Sequence, residues 1–377
     1  MPTPVPTAPQ VDRLTTSQIA QFKRDGFIVL PGVVDPELCR QARDQMWETI
    51  ADHRPSMKRD DPSTWVPITE EEKATFKRPE GGGDPYFSGG GQRFYIRNGA
   101  EDLLLDIGAR SVWDIAEQLM GKGQVVWPGG LDASGHMTGP CLMTQDIVDG
   151  MAVHLGPASG DWTEAIGKTQ ELRLPKTGPG FFTAQGTRGM YCTLPNGKPS
   201  GPDHYYRHAV AQPGPDYPSA HCGEGMYESR TKLQTAVYFD DLPLGAGGLH
   251  LWPGSHKRIW DTWQSIYRGD TLIDINCLSL RNTTHRPDGY VAPPVPAIKA
   301  DTEPVDTHGP AGSVVLWHTI GLHMAGVNTS SDRIRQATLY AFDKTPESIP
   351  DERAVANPTW DIWDDWSDEL RAVAETD

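Results

Sequence analysis

The N-terminal part of the chain passes from a helical to a strand-like pattern of hydrophobic positions. In residues 15–23, Ile19 and Phe22 fall on one face, which predicts a short amphipathic helix. The uninterrupted apolar run at 27–30 predicts a strand that ends at the following proline and glycine. Apolar positions at helical spacing follow Pro36, so a second helix is expected.

Further along, one more helical pattern gives way to short apolar runs separated by turns. Residues 103–120 carry apolar side chains at helical spacing, which predicts a single helix. Short runs then predict strands at 190–194, 233–239, 247–252, 313–317 and 336–342. Because no helices alternate with these strands, the pattern predicts a mainly β protein with flanking helices, built as a sandwich or jelly roll.

Composition divides the chain into unequal parts. Residues 1–13 begin with a proline-rich stretch and are expected to form a disordered lead-in. Residues 14–345 are expected to form a single domain, in which the glycine- and proline-dense stretch 53–215 is a long insert that covers the substrate. Residues 346–377, with tryptophans at three-residue spacing, are expected to pack on that domain as a C-terminal extension.

Charge and cysteine usage narrow the possible partners and the compartment. The net charge of −16 argues against a nucleic-acid partner, which would need a basic surface. No apolar run approaches the roughly 18 residues of a membrane span, so no membrane partner is expected. The five cysteines are widely separated and form no CxxC pair, which favours a reducing, cytoplasmic location over a disulfide framework.

The candidate chemistry begins at His221, which Cys-Gly-Glu follows. Two histidines and one carboxylate form the facial triad of non-haem Fe(II) oxygenases, which usually begins as His-X-Asp or His-X-Glu. Here Gly223 occupies the carboxylate position, and Glu224 comes one residue later. His323 lies far downstream and precedes Arg335. Other histidines, such as those at 250 and 318, are interpreted as hydrogen-bonded structural residues.

Several segments, taken in order, resemble the phytanoyl-CoA dioxygenase family of Fe(II)/2-oxoglutarate oxygenases. They are Asp-Gly-Phe-Ile-Val-Leu at 25–30, His221, Gly-Gly-Leu-His-Leu-Trp-Pro-Gly-Ser-His at 247–256, Gly-Ser-Val-Val-Leu-Trp-His at 312–318, His323, Asn328 and Arg335. The resemblance covers the N-terminal segment and about 217–345, but not much of 53–215. It implies a double-stranded β-helix (jelly roll) core that uses Fe(II), 2-oxoglutarate and O2.

The resemblance makes His221 and His323 the imidazole ligands of the iron, and it leaves the third ligand open. In one interpretation Gly223 is an insertion, and Glu224 reaches the metal because the flanking glycines let the backbone bulge. In another, chloride binds in the place that Gly223 leaves vacant, as in the similar Fe(II)/2-oxoglutarate halogenases. A degenerate, non-catalytic site is a third possibility, and Glu228 is a weaker candidate ligand.

The resemblance also assigns residues to 2-oxoglutarate. Arg335 would hold the distal carboxylate, since a guanidinium can grip a carboxylate through two parallel hydrogen bonds. Arg333 is its rival, because the chain carries one residue more than usual before the arginine. His256 would lie near the cofactor. Ala325 replaces a serine that is often present, so one hydrogen bond to 2-oxoglutarate is missing or is supplied by another residue.

The predicted function is therefore oxidation of an unactivated C–H bond of a small metabolite by an Fe(II)/2-oxoglutarate-dependent oxygenase. Hydroxylation, desaturation and oxidative ring closure are all compatible with it, in amino-acid or natural-product metabolism. Two alternatives are a halogenase with chloride at the Gly223 position and a cupin-like binding protein without catalysis. The pattern of residues does not indicate an oligomeric state.

Overall fold

Two antiparallel sheets with helices packed outside them make up the described part of the chain. A computed structural model describes residues 12–69, 71–72, 87–88, 93–96, 101–126, 186–197, 231–267, 298, 302–348, 350 and 357–375. The ten strands in these ranges are, in chain order, β1 (Phe27–Leu30), β2 (Phe87–Ser88), β3 (Arg93–Ile96), β4 (Gly186–Thr193), β5 (Thr231–Tyr238), β6 (Leu249–Leu251), β7 (Val305–Asp306), β8 (Val314–His318), β9 (His323–Ala325) and β10 (Arg335–Asp343).

The chain passes back and forth between a seven-stranded and a three-stranded sheet. The large sheet has the order β1-β8-β5-β10-β4-β3-β2, and the small sheet has the order β7-β6-β9. From β5 the chain enters β6 and β7, returns in β8, crosses again to β9 and comes back in β10. All the described ladders are antiparallel. This alternation is that of a jelly roll, so the predicted fold class, a mainly β double-stranded β-helix with flanking helices, is confirmed.

A hydrophobic core lies between the two sheets. Both sheets contribute to it, with Phe27, Ala236, Tyr238, Leu249, Leu251, Val315, Trp317 and Ala337. Along β8, Val315 and Trp317 belong to this core. Val314 and Leu316, on the opposite face, pack in the larger cluster that the helices share. Because side chains alternate along a strand, β8 is buried on both faces, which explains why its sequence is almost wholly apolar.

Six helices lie outside the sheets in the described ranges. They are α1 (Thr16–Asp25), α2 (Pro36–His53), α3 (Glu101–Gly108), α4 (Trp113–Met120), α5 (Ser255–Tyr267) and α6 (Asp368–Ala372), with short 3-10 turns at Pro62–Thr64, Arg110–Val112 and Pro346–Ser348. The first of them begins with a capping box formed by Thr15 and Gln18 and ends at Gly26, whose φ of 80° favours glycine. The N-terminal helix and strand therefore follow the sequence prediction.

The single helix predicted at 103–120 is wrong, because the structure breaks it into α3 and α4. The break follows Gly108, which lies directly against the large sheet. A Cβ atom at Gly108 would be 3.3 Å from both Thr338 and Tyr340. Its carbonyl accepts a 2.7 Å hydrogen bond from the hydroxyl of Thr235 on β5. The Gly108 carbonyl therefore accepts its hydrogen bond from the sheet instead of from an amide of the next helical turn, and the helix ends there.

The C-terminal segment packs on α1 and α4. The rings of Trp363 and Trp366 lie 5.9 and 5.7 Å from the ring of Phe22, measured between centroids. The amide of Ser367 donates to the carbonyl of Leu119. The predicted domain limits stay a prediction. Within the described ranges, none of the helices has the length and apolar character needed to span a bilayer.

Candidate functional site

Three of the five predicted site residues lie in the described part of the chain. Arg335, His323 and His256 are described, whereas His221 and Glu224 lie outside the described residues. The iron ligand set as a whole stays a prediction. The described residues do allow a test of whether the jelly roll provides a site for a carboxylate and an imidazole ligand.

Arg335 begins β10 and lies in the interior of the jelly roll. It pairs with Thr193 of β4 and is only 2% exposed. Ala337, two residues further along the strand, belongs to the core between the sheets. Side chains two residues apart share a face of a strand, so the guanidinium is directed between the two sheets.

The guanidinium of Arg335 is buried without a counter-ion in the described structure. Its Nη2 donates to the Thr193 hydroxyl at 2.8 Å, and its Nε has no hydrogen-bond partner. Arg54, the other buried arginine in the described ranges, instead pairs with the carboxylate of Glu72 at 3.0 Å. A buried charge is strongly destabilising unless it is paired. The orphaned donor therefore fits an anionic ligand, and its fork geometry fits a carboxylate.

The rival arginine occupies a different environment. Arg333 is exposed in the turn that leads into β10. Its carbonyl accepts hydrogen bonds from the side chains of Asn328 and Ser330. A solvent-exposed guanidinium needs no bound anion, so the geometry favours Arg335 over Arg333 as the carboxylate anchor.

His323 begins β9 in the small sheet and faces the same interior space. It is 5% exposed, and it pairs with Leu251, whose side chain belongs to the core between the sheets. Directly opposed residues of an antiparallel pair lie on the same face. The His323 ring also lies 5.3 Å from the ring of Trp317, another member of that core. His323 and Arg335 therefore approach the interior from opposite sheets.

The hydrogen bond of His323 sets its tautomer. Nδ1 lies 2.8 Å from the carbonyl oxygen of Gly321. Because a carbonyl can only accept, Nδ1 carries the hydrogen, and the ring lone pair is on Nε2. A backbone carbonyl that orients an imidazole in this way is typical of metal-ligating histidines. Nearby, the buried indole nitrogen of Trp317 has no hydrogen-bond partner in the described structure.

His256 lies near α1 and the C-terminal segment. Its Nε2 donates to the carbonyl of Lys23 at 3.1 Å, and its ring lies 5.8 Å from that of His318 and 5.3 Å from that of Trp363. Burial, with a smaller effect of Lys257, lowers the pKa of His256 to about 3, so the ring is neutral. No contact with Arg335 is described, and its role near the cofactor stays a prediction.

Sequence reasoning did not find Thr193 and gave no structural role to Asn328. Thr193 lies in the weakly patterned strand at 190–194, and nothing near it in the sequence indicates a site. In the sequence, Asn328 contributes only to the pattern before Arg335. In the structure its buried Nδ2 donates to the carbonyls of Thr193 and Arg333, at 3.0 and 2.7 Å. It thus ties β4 to the turn that delivers Arg335.

Comparison with protein families supports the resemblance seen in the sequence. Residues 200–337 match the model of the phytanoyl-CoA dioxygenase (PhyH) family, which is somewhat more than a third of the chain. The matched range includes His221, Glu224, His256, His323 and Arg335. The resemblance to this family is therefore confirmed. No functionally curated protein was found to match the chain.

Solved structures with a similar arrangement are distant from this chain. The non-haem α-ketoglutarate-dependent carbocyclase SnoK from nogalamycin biosynthesis is 15% identical, with 88% of this chain and 84% of that chain covered and a TM-score of 0.35. AviO1 from Streptomyces viridochromogenes Tue57 is 14% identical, with 89% and 96% covered and a TM-score of 0.37. EctD from S. alaskensis is 11% identical, with 88% and 77% covered and a TM-score of 0.34. All three TM-scores lie below 0.5.

Proposed function

We propose that this chain, which resembles the phytanoyl-CoA dioxygenase family, is an Fe(II)/2-oxoglutarate-dependent oxygenase. One observation carries the proposal: the buried guanidinium of Arg335 has no counter-ion among the described residues and enters the jelly roll opposite His323. 2-Oxoglutarate carries a carboxylate at each end. Its distal carboxylate would pair with Arg335, which removes the cost of the buried positive charge. Its 2-oxoacid end would then face the metal ligands.

The proposed metal ligands are His221, His323 and Glu224. The described contacts of His323 support its part, because the Gly321 carbonyl leaves the lone pair on Nε2. Bound by these residues, Fe(II) would supply, together with 2-oxoglutarate and O2, the oxidation of an unactivated C–H bond. The protein would hold the cosubstrate through Arg335 and orient its 2-oxoacid end towards these ligands.

The proposed substrate is a small metabolite of amino-acid or natural-product metabolism, not a nucleic acid or a membrane component. The outcome of the reaction is proposed to be hydroxylation, desaturation or ring closure. A halogenase is the second candidate, and the glycine at 223, two residues after His221, is the observation that favours it. The proposed location is the cytoplasm.

The oxygenase proposal is tested by adding Fe(II) and 2-oxoglutarate to the purified protein without oxygen. A weak visible charge-transfer band should appear, because the 2-oxoacid chelates the metal. Admission of O2 should then yield succinate. A cupin-like binding protein without redox chemistry would give no succinate, and the absence of both the band and succinate would refute the enzyme.

A further inference from the structure

A buried histidine lies at the end of the strand that leads towards His323. His318 is the last residue of β8, and it is 3% exposed. Side chains two residues apart share a face of a strand, so His318 lies on the face of Leu316, which packs in the cluster shared with the helices. Its ring lies 5.5 Å from that of Trp363 and 5.0 Å from that of Trp366, measured between centroids. The C-terminal segment therefore packs on this imidazole.

Packing alone does not explain an imidazole at this position. A phenylalanine would present a similar ring surface without burying a polar atom. The Nε2 of His318 has no hydrogen-bond partner in the described structure, and a buried donor without a partner is destabilising. The other ring nitrogen, Nδ1, accepts a hydrogen bond of 3.2 Å from the amide of Ile320. That bond is a contribution that phenylalanine cannot make.

The bond from Ile320 closes the turn between β8 and β9. A side-chain acceptor that binds the amide two residues later reproduces an Asx-turn. In the same turn the amide of Gly321 donates to the carbonyl of His318 at 2.7 Å. Burial lowers the pKa of His318 well below its ordinary value, so the ring is neutral and Nδ1 keeps its lone pair. The side chain and the carbonyl of His318 thus bind two successive amides.

The turn ends at the carbonyl that orients His323. Nδ1 of His323 donates to the carbonyl of Gly321 at 2.8 Å. Leu322, between them, is held in place because its amide donates to the hydroxyl of Ser255 at 2.9 Å. With Leu322 fixed, the direction of the Gly321 carbonyl depends on the turn that His318 closes. A chain of hydrogen bonds therefore links the turn closed by His318 to the ring of His323.

We propose that His318 is a positioning residue for the iron ligand His323, and that it acts through the turn at 318–321. This inference rests on the proposed function, in which His323 binds the metal through Nε2. Groups that orient a metal-ligating imidazole contribute about 10- to 100-fold to the metal affinity. Because the rings of Trp363 and Trp366 pack on His318, the C-terminal segment supports the iron site as well.

The test measures Fe(II) binding in three variants. His318→Phe keeps a ring against Trp366 and removes the acceptor, whereas His318→Asn loses the ring but can accept from the Ile320 amide through Oδ1. Thr235→Val is the control, because it removes another buried hydrogen bond, the one to the Gly108 carbonyl, outside the turn. Each protein is titrated with Fe(II) without oxygen in saturating 2-oxoglutarate, and the visible charge-transfer band measures the bound metal.

His318→Phe should weaken Fe(II) binding by about 10- to 100-fold. His318→Asn and Thr235→Val should bind Fe(II) as the wild type does. Unchanged binding in His318→Phe, or equal losses in His318→Phe and His318→Asn, would overturn the role of the acceptor. An equal loss in Thr235→Val would show that the iron site responds to general destabilisation, and it would overturn the inference too. If His318→Phe does not fold, His318→Val removes the same acceptor and takes its place.

A measurement on the metal-free protein separates this inference from the proposed function. The amide of Ile320 should exchange its hydrogen faster in His318→Phe than in the wild type or His318→Asn, because its acceptor is gone. Unchanged exchange would overturn the turn-closing role of His318. If the wild type gives the band and His318→Phe matches its Fe(II) affinity, the oxygenase proposal stands and the inference fails. If the wild type gives no band, the proposed function fails, and the link to iron fails with it whatever the exchange shows.

Discussion

Arg335 and Thr193 face each other across the β4–β10 ladder, and Nη2 of Arg335 donates to the Thr193 hydroxyl at 2.8 Å. The two residues are 142 positions apart in the sequence. Their pairing places a buried cation and a hydroxyl on the inner face of the large sheet. It is the structural basis for the proposal that a carboxylate binds between the sheets.

The third iron ligand can be tested with Glu224→Ala, because the two interpretations of Gly223 predict opposite results. If Glu224 binds iron, the variant should lose most of its iron affinity and its 2-oxoglutarate-dependent succinate production. If chloride fills the position, both should survive and depend on chloride. Iron binding and succinate formation are measured with and without chloride.

The matched control for Glu224 is Glu228→Ala. Glu228 is the weaker carboxylate candidate four residues later in the chain. The Glu228→Ala variant should retain iron binding and turnover. A loss in Glu228→Ala together with full activity in Glu224→Ala would contradict the proposed ligand set.

Asn328→Asp should destabilise the protein, because it places a carboxylate oxygen where the amide now donates. The Nδ2 of Asn328 faces two carbonyl oxygens, those of Thr193 and Arg333. A carboxylate there leaves both carbonyls unpaired and buries a charge among acceptors. We expect the free energy of unfolding to fall by about 3 kcal/mol in a denaturant titration.

Asn357→Asp provides the control for that change. Asn357 is exposed, and its Oδ1 accepts from the amide and the hydroxyl of Thr359, which an aspartate can also do. It should change the stability by less than about 0.5 kcal/mol. Equal losses in the two variants would show that the buried donors of Asn328 have no particular importance.

His256 should make the protein sensitive to acid. Burial lowers its folded pKa to about 3, whereas an unfolded imidazole titrates near 6.5. Below about pH 6.5 the unfolded state binds more protons, so the free energy of unfolding falls as the pH drops from 6.5 towards 3. Above pH 6.5 the contribution of the neutral His256 ring to stability is fully present. Burial lowers the pKa of His318 as well, with smaller effects of His256 and Lys232.

His256→Gln should reduce this sensitivity, because its amide nitrogen can still donate to the Lys23 carbonyl but does not titrate. Between pH 7 and pH 5 the variant should lose about 2 kcal/mol less unfolding free energy than the wild type. The exposed His308→Gln should behave as the wild type does. Parallel pH profiles for wild type and His256→Gln would show that His256 is not buried in its neutral form.

Gly26→Ala should destabilise the protein more than glycine-to-alanine replacement at another left-handed position. Gly26 has a φ of 80°, and a Cβ there would lie 2.3 Å from Nδ1 of His256. Gly123 has a φ of 72° with nothing within 4 Å of its Cβ position. Gly123→Ala should cost about 1 kcal/mol from backbone strain alone.

The difference between the two glycine variants isolates the clash with His256. Gly26→Ala should lose about 2 kcal/mol more than Gly123→Ala in thermal or chemical unfolding, because overpacking forces the imidazole or the backbone to move. Equal losses would mean that His256 can shift away from Gly26 without cost.

The sequence predicted elements whose pattern is local and missed features that depend on distant contacts. The run at 27–30 and the apolar strand β8 were predictable because burial on both faces requires continuous apolar residues. The break after Gly108 was not, because it depends on the hydroxyl of Thr235 on another strand. A pattern of hydrophobic positions does not indicate which distant residues come into contact.

In the candidate site, too, the residues in a local sequence pattern were predictable and the contacts between distant residues were not. His323 and Arg335 are predicted as site residues from a resemblance in residue order, and their roles stay a prediction. The contact of Thr193 with Arg335 could not be predicted, since it comes from strand pairing between residues far apart in the sequence. The sequence already favours Arg335 over Arg333, because it lies two residues before Ala337 as the family's arginine does, and burial adds that one arginine lies between the sheets and the other in solvent.

The most direct measurement is an anaerobic titration of 2-oxoglutarate into Fe(II)-loaded wild type, Arg335→Lys and Arg333→Lys, followed by the visible charge-transfer band. Lysine keeps the charge but loses the two-pronged fork that grips a carboxylate. Arg335→Lys should weaken 2-oxoglutarate binding at least about 10-fold, and the exposed Arg333→Lys should leave it unchanged. Unchanged binding in Arg335→Lys, or a larger loss in Arg333→Lys, would contradict Arg335 as the anchor of the cosubstrate.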